Sequence, residues 1–172
     1  FLPNIAESNE NLQRRSTMAL MTFSKTLILA LLFALAGCAS APDPADVELT
    51  ISTSAGLNPD PDGRPSPVVL QVYRLKDVDA FKNARFFELY DNGEQILGQD
   101  LIDVSEMELS PSVNQTVQVD GMTVETPHIG LLAAFRDIDS ARWRVVIPTP
   151  LDSSVKAAVT LDDLALSYKL DD

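Results

Sequence analysis

From Val47 onward, apolar and polar residues alternate with a period of two. Val47, Leu49 and Ile51 are separated by Glu48, Thr50 and Ser52, the mark of a strand with one buried face. Val68, Leu70 and Val72 repeat it, with Tyr73 and Leu75 turned to the other face. Val117 and Val119 lie among Thr116, Gln118 and Asp120, and Trp143, Val145 and Ile147 flank Arg144. Val155, Ala157, Val159 and Leu161 alternate with Lys156 and Thr160; Leu164, Leu166, Tyr168 and Leu170 alternate with Ser167 and Lys169. Residues 129–135 are almost continuously apolar, which predicts a strand covered on both faces. About seven to eight short strands separated by turn residues predict an all-β, two-sheet sandwich. Trp143 is expected inside it, on the face shared by Val145 and Ile147. One segment departs from period two. In residues 77–90 the apolar positions Val78, Phe81, Ala84 and Phe87 recur by threes. That spacing predicts one helix or a pair of helical turns packed on the sandwich. Asp77 or Asp79 would cap it, and Asp91-Asn92-Gly93 would end it.

The chain before Val47 reads differently. Lys25 precedes an apolar run, Leu27 to Ala36, of ten residues. That is half of the roughly 20 residues a helix needs to cross a bilayer, and a basic flank before a short apolar core reads as a secretory signal. The run closes on Leu35-Ala36-Gly37-Cys38, which resembles a bacterial lipobox and implies a diacylglyceryl group on the Cys38 sulfur. Cys38 is the only cysteine, so no thiol is left for a disulfide and the core must hold the fold. Covalent lipid is thus the one non-protein group expected, with no cofactor. Ala39 follows the cysteine; the absence of an aspartate there points to the outer membrane, with the domain facing the periplasm. Residues 21–37 are read as the signal peptide, 38–46 as an acylated tether and 47–172 as the sandwich domain. Residues 1–20, polar as far as Thr17, read as an upstream extension or mis-called start, with Met18 or Met21 as natural starts. Arg14-Arg15 resembles a twin-arginine signal, but the residues after it match poorly.

Charge narrows the partners. The chain carries −12, and its first 37 residues carry +1, leaving −13 for the rest. Nucleic acid, which is held by clustered Lys and Arg, is excluded, as is electrostatic attachment to anionic lipid. Candidate chemistry is sparse. His128 is the only histidine, beside Pro127, and is read as structural. There is no imidazole or thiolate cluster for a metal, no Ser-His-Asp order and no phosphate loop. Asp60-Pro61-Asp62-Gly63 faintly resembles a calcium loop but lacks the spaced ligands and closing glutamate, so it is read as a turn. Asp162-Asp163 is read as a turn as well. The informative segment is Ser54 to Pro67, fourteen residues between the first two strands and far longer than a hairpin loop. Pro59, Pro61, Pro65 and Pro67 stiffen it, and a stiff loop loses less entropy on binding.

The ordered set of lipobox, strand, N-P-D-P-D-G-R-P-S-P loop, V-V-L-Q-V-Y-R-L strand, Phe81, A-R-F-F-E-L-Y and the late I-G-L-L-A-A-F-R-D-I run into Ala141-Arg142-Trp143-Arg144 resembles the TssJ (VasD, SciN) lipoproteins of type VI secretion. Pro111-Ser112 departs from it, standing where Pro-Gly is expected. The resemblance implies a transthyretin-like sandwich with a small helical addition and no catalysis. It also implies an outer-membrane lipoprotein that binds the periplasmic C-terminal domain of TssM, with TssL in the same complex. By position, Ser54–Pro67 is the loop implicated in that contact. Asn58, Asp60, Asp62 and Arg64 are the expected polar contacts, Leu57, Pro59 and Pro65 the apolar ones, with Gly63 at the turn. The alternative is a periplasmic lipoprotein binding a small sugar or peptide; against it, aromatics make up only 6% of the chain. A hydrolase is disfavoured by the residue inventory.

Overall fold

The computed structural model describes residues 45–123, 126–149 and 154–171. The expected lipidation site Cys38, the signal segment and the tether up to residue 44 lie outside them.

Eight strands form two four-stranded sheets. The first sheet has the order β4-β1-β7-β8 and the second β3-β2-β5-β6. In chain order they are β1 (Ala45–Thr53), β2 (Val68–Leu75), β3 (Leu101–Leu109), β4 (Asn114–Met122), β5 (His128–Ala133), β6 (Arg144–Pro148), β7 (Val155–Asp162) and β8 (Ala165–Leu170). Neighbours are antiparallel except β1 and β7, which run parallel with Leu49 opposite Ala157. The inward residues of the two sheets meet in one core: Val47, Leu49 and Ile51 from β1, Leu70 and Val72 from β2, Ile129 and Leu131 from β5, and Val159 and Leu161 from β7. The outer face of the first sheet is polar, with Glu48 accepting from Gln118 at 3.0 Å and pairing with Lys156 at 3.3 Å.

A second core covers the other face of the second sheet. Helix α1 (Asp79–Asn83) and helix α2 (Phe86–Leu97) pack Phe81, Phe86, Leu89 and Leu97 onto Tyr73, Leu75 and Leu132. This second layer explains why Tyr73 and Leu75 are apolar on the face opposite Val72, and why β5 is apolar on both. The Tyr73 hydroxyl donates to the Gln71 side-chain oxygen at 2.7 Å. Burial pushes its pKa up to about 12, with the Glu106 charge adding to the effect. Asp77 does act at the helix start, its carboxylate accepting the Asp79 amide at 2.8 Å.

The helical segment breaks at Asn92 (φ −136°, ψ 27°), within the Asp91-Asn92-Gly93 stretch expected to end it, and a second helical stretch then runs on to Leu97, where Gly98 (φ 51°) stops it. Gly93 also packs closely: a Cβ there would stand 3.2 Å from the Tyr73 ring and hydroxyl. Two readings need correction. β3, unread in the sequence, is an edge strand whose side chains are mostly exposed, and Asp103, Glu106 and Glu108 blur its alternation. Trp143 is half-buried rather than inside the sandwich, because β6 begins only at Arg144. Its ring touches both cores, sits edge-on to Phe86 at 5.3 Å, and carries the Arg144 guanidinium 4.4 Å above its centroid.

The β3/β4 side of the sandwich is latched by Arg74. Its guanidinium pairs with Asp103 at 2.5 and 2.8 Å and donates to the carbonyls of Asp120 and Gly121 at 3.0 and 3.3 Å. Both the ionic partner and the fork of donors suit arginine rather than lysine.

Candidate functional site

The Ser54–Pro67 loop is a built structure. Its tip is a turn in which the Gly63 amide donates to the Asp60 carbonyl at 2.8 Å, and Gly63 takes φ 77°, a region that favours glycine. The Asp60 amide donates to the Arg64 carbonyl at 2.9 Å and the Ser66 amide to the Leu57 carbonyl at 3.0 Å, so the two legs face each other in register. One Asp60 carboxylate oxygen accepts the amides of Asp62 and Arg64, both at 2.9 Å, while the other pairs with the Arg64 guanidinium at 3.1 Å. Arg64 also pairs with Asp62 at 2.7 Å. The Asp60 oxygens are therefore engaged within the loop itself, which is the physical content of the turn reading. The tip is ion-paired internally and carries one net negative charge.

Below the tip the loop is fastened at three distant points. The Asn58 side chain is the central fastener. It donates to the Pro67 carbonyl at 2.7 Å and accepts the Arg136 amide, beyond β5, at 2.8 Å. Ser66 Oγ donates to the Asn58 carbonyl at 2.6 Å and receives Arg136 Nε at 2.9 Å. The Asn58 amide donates to the Asp163 carbonyl in the β7–β8 turn at 2.7 Å. On the third side the Ser112 amide, between β3 and β4, donates to the Ser54 carbonyl at 3.2 Å.

This geometry divides the residues expected to make contact. Pro65, Asp62, Gly63 and Arg64 are exposed at the tip, with Arg64 and Asp62 side chains 74% and 75% exposed; Pro59 and Asp60 are half-buried. Leu57 and Asn58 are buried, at 0% and 2% exposure. They present no surface to a partner while the loop holds this form. Leu57 is part of the sandwich core, and Asn58 at φ 50° is the keystone of the base. Ser66, Arg136 and Asp163 were not foreseen. Their partners lie far away in sequence, 78 residues between Asn58 and Arg136, and no local pattern marks such a pairing. His128 opens β5 beside Pro148. Its Nδ1 is buried without a hydrogen-bond partner, and burial, aided by the Lys82 charge, lowers its pKa.

Residues 45–164 match the T6SS-SciN family, the type VI secretion lipoproteins VasD, EvfM and TssJ. The lipoprotein TssJ1 of Pseudomonas aeruginosa shares 31% identity and a TM-score of 0.72, over 75% of this chain and 98% of that one. The chain belongs to the type VI secretion lipoprotein family. Members of this TssJ family are structural lipoproteins, not enzymes. Two more distant likenesses show the same fold. Lip from Serratia marcescens, a membrane-bound component of the type VI secretion system, gives 21% identity and a TM-score of 0.68 over 75% of this chain and 99% of that one. A chain in a structure of the TssM C-terminal domain from EAEC gives 22% identity and 0.59, over 72% and 97%. No curated protein sequence matches. Among the described residues no helix is long and apolar enough to cross a membrane.

Proposed function

We propose that this TssJ lipoprotein fastens the periplasmic C-terminal domain of TssM to the outer membrane, with TssL in the same complex. Acyl chains on Cys38 hold the membrane end, and the tip of the Ser54–Pro67 loop holds the partner. The observation that carries this reading is the loop's construction. Fastening at Asn58, Ser66 and Ser54 preorganises the tip, so little entropy remains to be lost on docking. Asp60, Asp62, Gly63, Arg64 and Pro65 form the contact, with Pro59 at its edge; Leu57 and Asn58 support it from below. Arg64 acts first on the loop itself. Exposed ion pairs contribute little to stability and the turn is closed by backbone and Asp60 bonds, so Arg64→Glu should leave the fold intact while gathering three carboxylates at the tip, reversing its charge toward the partner.

The test is calorimetric titration of the purified protein with the TssM periplasmic domain. Replacing Asp60–Pro65 by a Gly/Ser linker, with Asn58 and Ser66 kept, should weaken binding about 30-fold or more, the effect of removing a hot-spot cluster worth about 2 kcal/mol. Circular dichroism should be unchanged, since altering a surface loop changes closure entropy only modestly. A folded variant with undiminished affinity would move the docking surface elsewhere, first to the α1–α2 layer.

The anchor has its own test. Two or more acyl chains are needed for stable anchoring, and removing their attachment atom removes them all. Cys38→Ser is expected to take up no labelled fatty acid and to disappear from the outer-membrane fraction. Label entering the variant, or unchanged fractionation, would refute the assignment of Cys38.

A further inference from the structure

We propose that the cleft between β6 and β8 is a docking site for an extended, acidic segment of a partner protein. β6 and β8 are the terminal strands of their sheets, on the side opposite the Arg74 latch. Among the described residues one isolated backbone bridge joins the two sides, just ahead of β6. The Arg142 amide donates to the Leu164 carbonyl at 2.9 Å and the Leu166 amide to the Arg142 carbonyl at 2.8 Å, a single parallel bridge between Arg142 and Ala165. Beyond it the strands part into different sheets. A cleft of about 430 Å³ lies there, lined by Trp143, Arg144 and Val145 from one side and Leu166, Ser167 and Tyr168 from the other. Edge strands present backbone donors and acceptors that an added strand can use, and side-chain pockets beside such an edge confer selectivity.

The side chains define the occupant. The lining holds two arginines and no carboxylate, in a chain of net charge −12. Arg142 is exposed and has no anionic partner among the described residues. Arg144 is held over Trp143 by bonds to the carbonyls of Phe81 and Ala84 at 2.6 and 2.9 Å, so its charge too faces no carboxylate. Trp143 is braced by Phe86, and Phe87, 63% exposed, stands edge-on to Phe86 at 5.1 Å and extends the aromatic surface. Rigid Trp and Tyr beside Arg is the composition of a binding hot spot. Its charge selects carboxylates.

Trp143 is the only tryptophan, so its emission reports the cleft directly. The full chain, purified in a zwitterionic detergent, is titrated with a capped peptide in which glutamate alternates with valine and threonine. A peptide with lysine for glutamate is the control. The glutamate peptide should change Trp143 emission saturably and the lysine peptide should not. Arg142→Glu should weaken the response about tenfold or more by turning attraction into repulsion. Arg142 bridges through its backbone, so the variant keeps the fold, and its unliganded emission and circular dichroism verify this. No saturable change, equal responses to both peptides, or wild-type affinity in a folded Arg142→Glu variant would each overturn the proposal. None of these outcomes depends on the Ser54–Pro67 loop.

Discussion

Phe81→Ala is expected to lower stability by about 3–5 kcal/mol, the range for truncating a large buried aromatic. Phe81 is fully buried and is the residue by which α1 enters the face of the second sheet. Its ring stands 5.2 Å from Tyr73, tilted by 57°. On the sheet below it lies Gly130, where a Cβ would come within 2.7 Å of the ring. The contact is thus a knob seated over a position without a side chain, and the helix cannot slide to fill the space left by alanine without losing the Arg144 bond to the Phe81 carbonyl. Phe81→Leu should recover part of the loss. Gly130→Ala should destabilise from the other side by about 1–3 kcal/mol, as overpacking does. Urea unfolding followed by circular dichroism measures all three. A shifted midpoint with an unchanged slope is the expected form. A loss for Phe81→Ala below about 1 kcal/mol would mean that the helical layer unfolds apart from the sandwich.

The strands that were legible in the sequence are those whose burial is one-sided or complete. β1 and β7 alternate cleanly because one face meets the core and the other meets water, and β5 reads as continuous because two layers cover it. β3 was illegible because an edge strand buries little, and its only fully buried residue is Leu109. The helical segment was legible as far as its break at Asn92, where the stop signal acts; the helical stretch that follows to Leu97 was not. Pro111-Ser112 shows the reverse. Ser112 takes φ 61°, the conformation for which glycine was expected, so the turn keeps its shape with a less suitable residue. In the candidate site, prolines and excess length pointed to the loop as a unit. Which of its residues face out could not be read, because that depends on Arg136, Asp163 and Ser112, each supplied by another part of the chain.

Asn58→Ala should cost about 2–4 kcal/mol and should also loosen the loop. The side chain satisfies two backbone groups at once, the Pro67 carbonyl and the Arg136 amide, in a site only 2% exposed. Leaving such groups without a partner costs about 1–3 kcal/mol each, less wherever water can reach them. The backbone adds a smaller cost. At φ 50° asparagine is tolerated, whereas alanine bears the full crowding of its Cβ against the carbonyl, about 1 kcal/mol. Asn58→Gly separates the two causes, because it relieves the backbone and still removes both bonds. If the hydrogen bonds dominate, glycine should be nearly as destabilising as alanine. If the backbone dominates, glycine should be close to wild type. Hydrogen exchange supplies the structural readout: the Arg136 and Ser66 amides, bonded to Asn58 Oδ1 and to the Leu57 carbonyl, should lose protection together. Arg64 and Asp62 should keep their pairing in the folded variant, since the turn at the tip is closed by its own bonds. The same variant then asks whether preorganisation matters for docking. Its contact residues are untouched, so weaker binding to the TssM domain would come from the loosened base alone. Wild-type affinity, with the Arg136 amide unprotected, would show that the partner binds the tip without regard to how it is held.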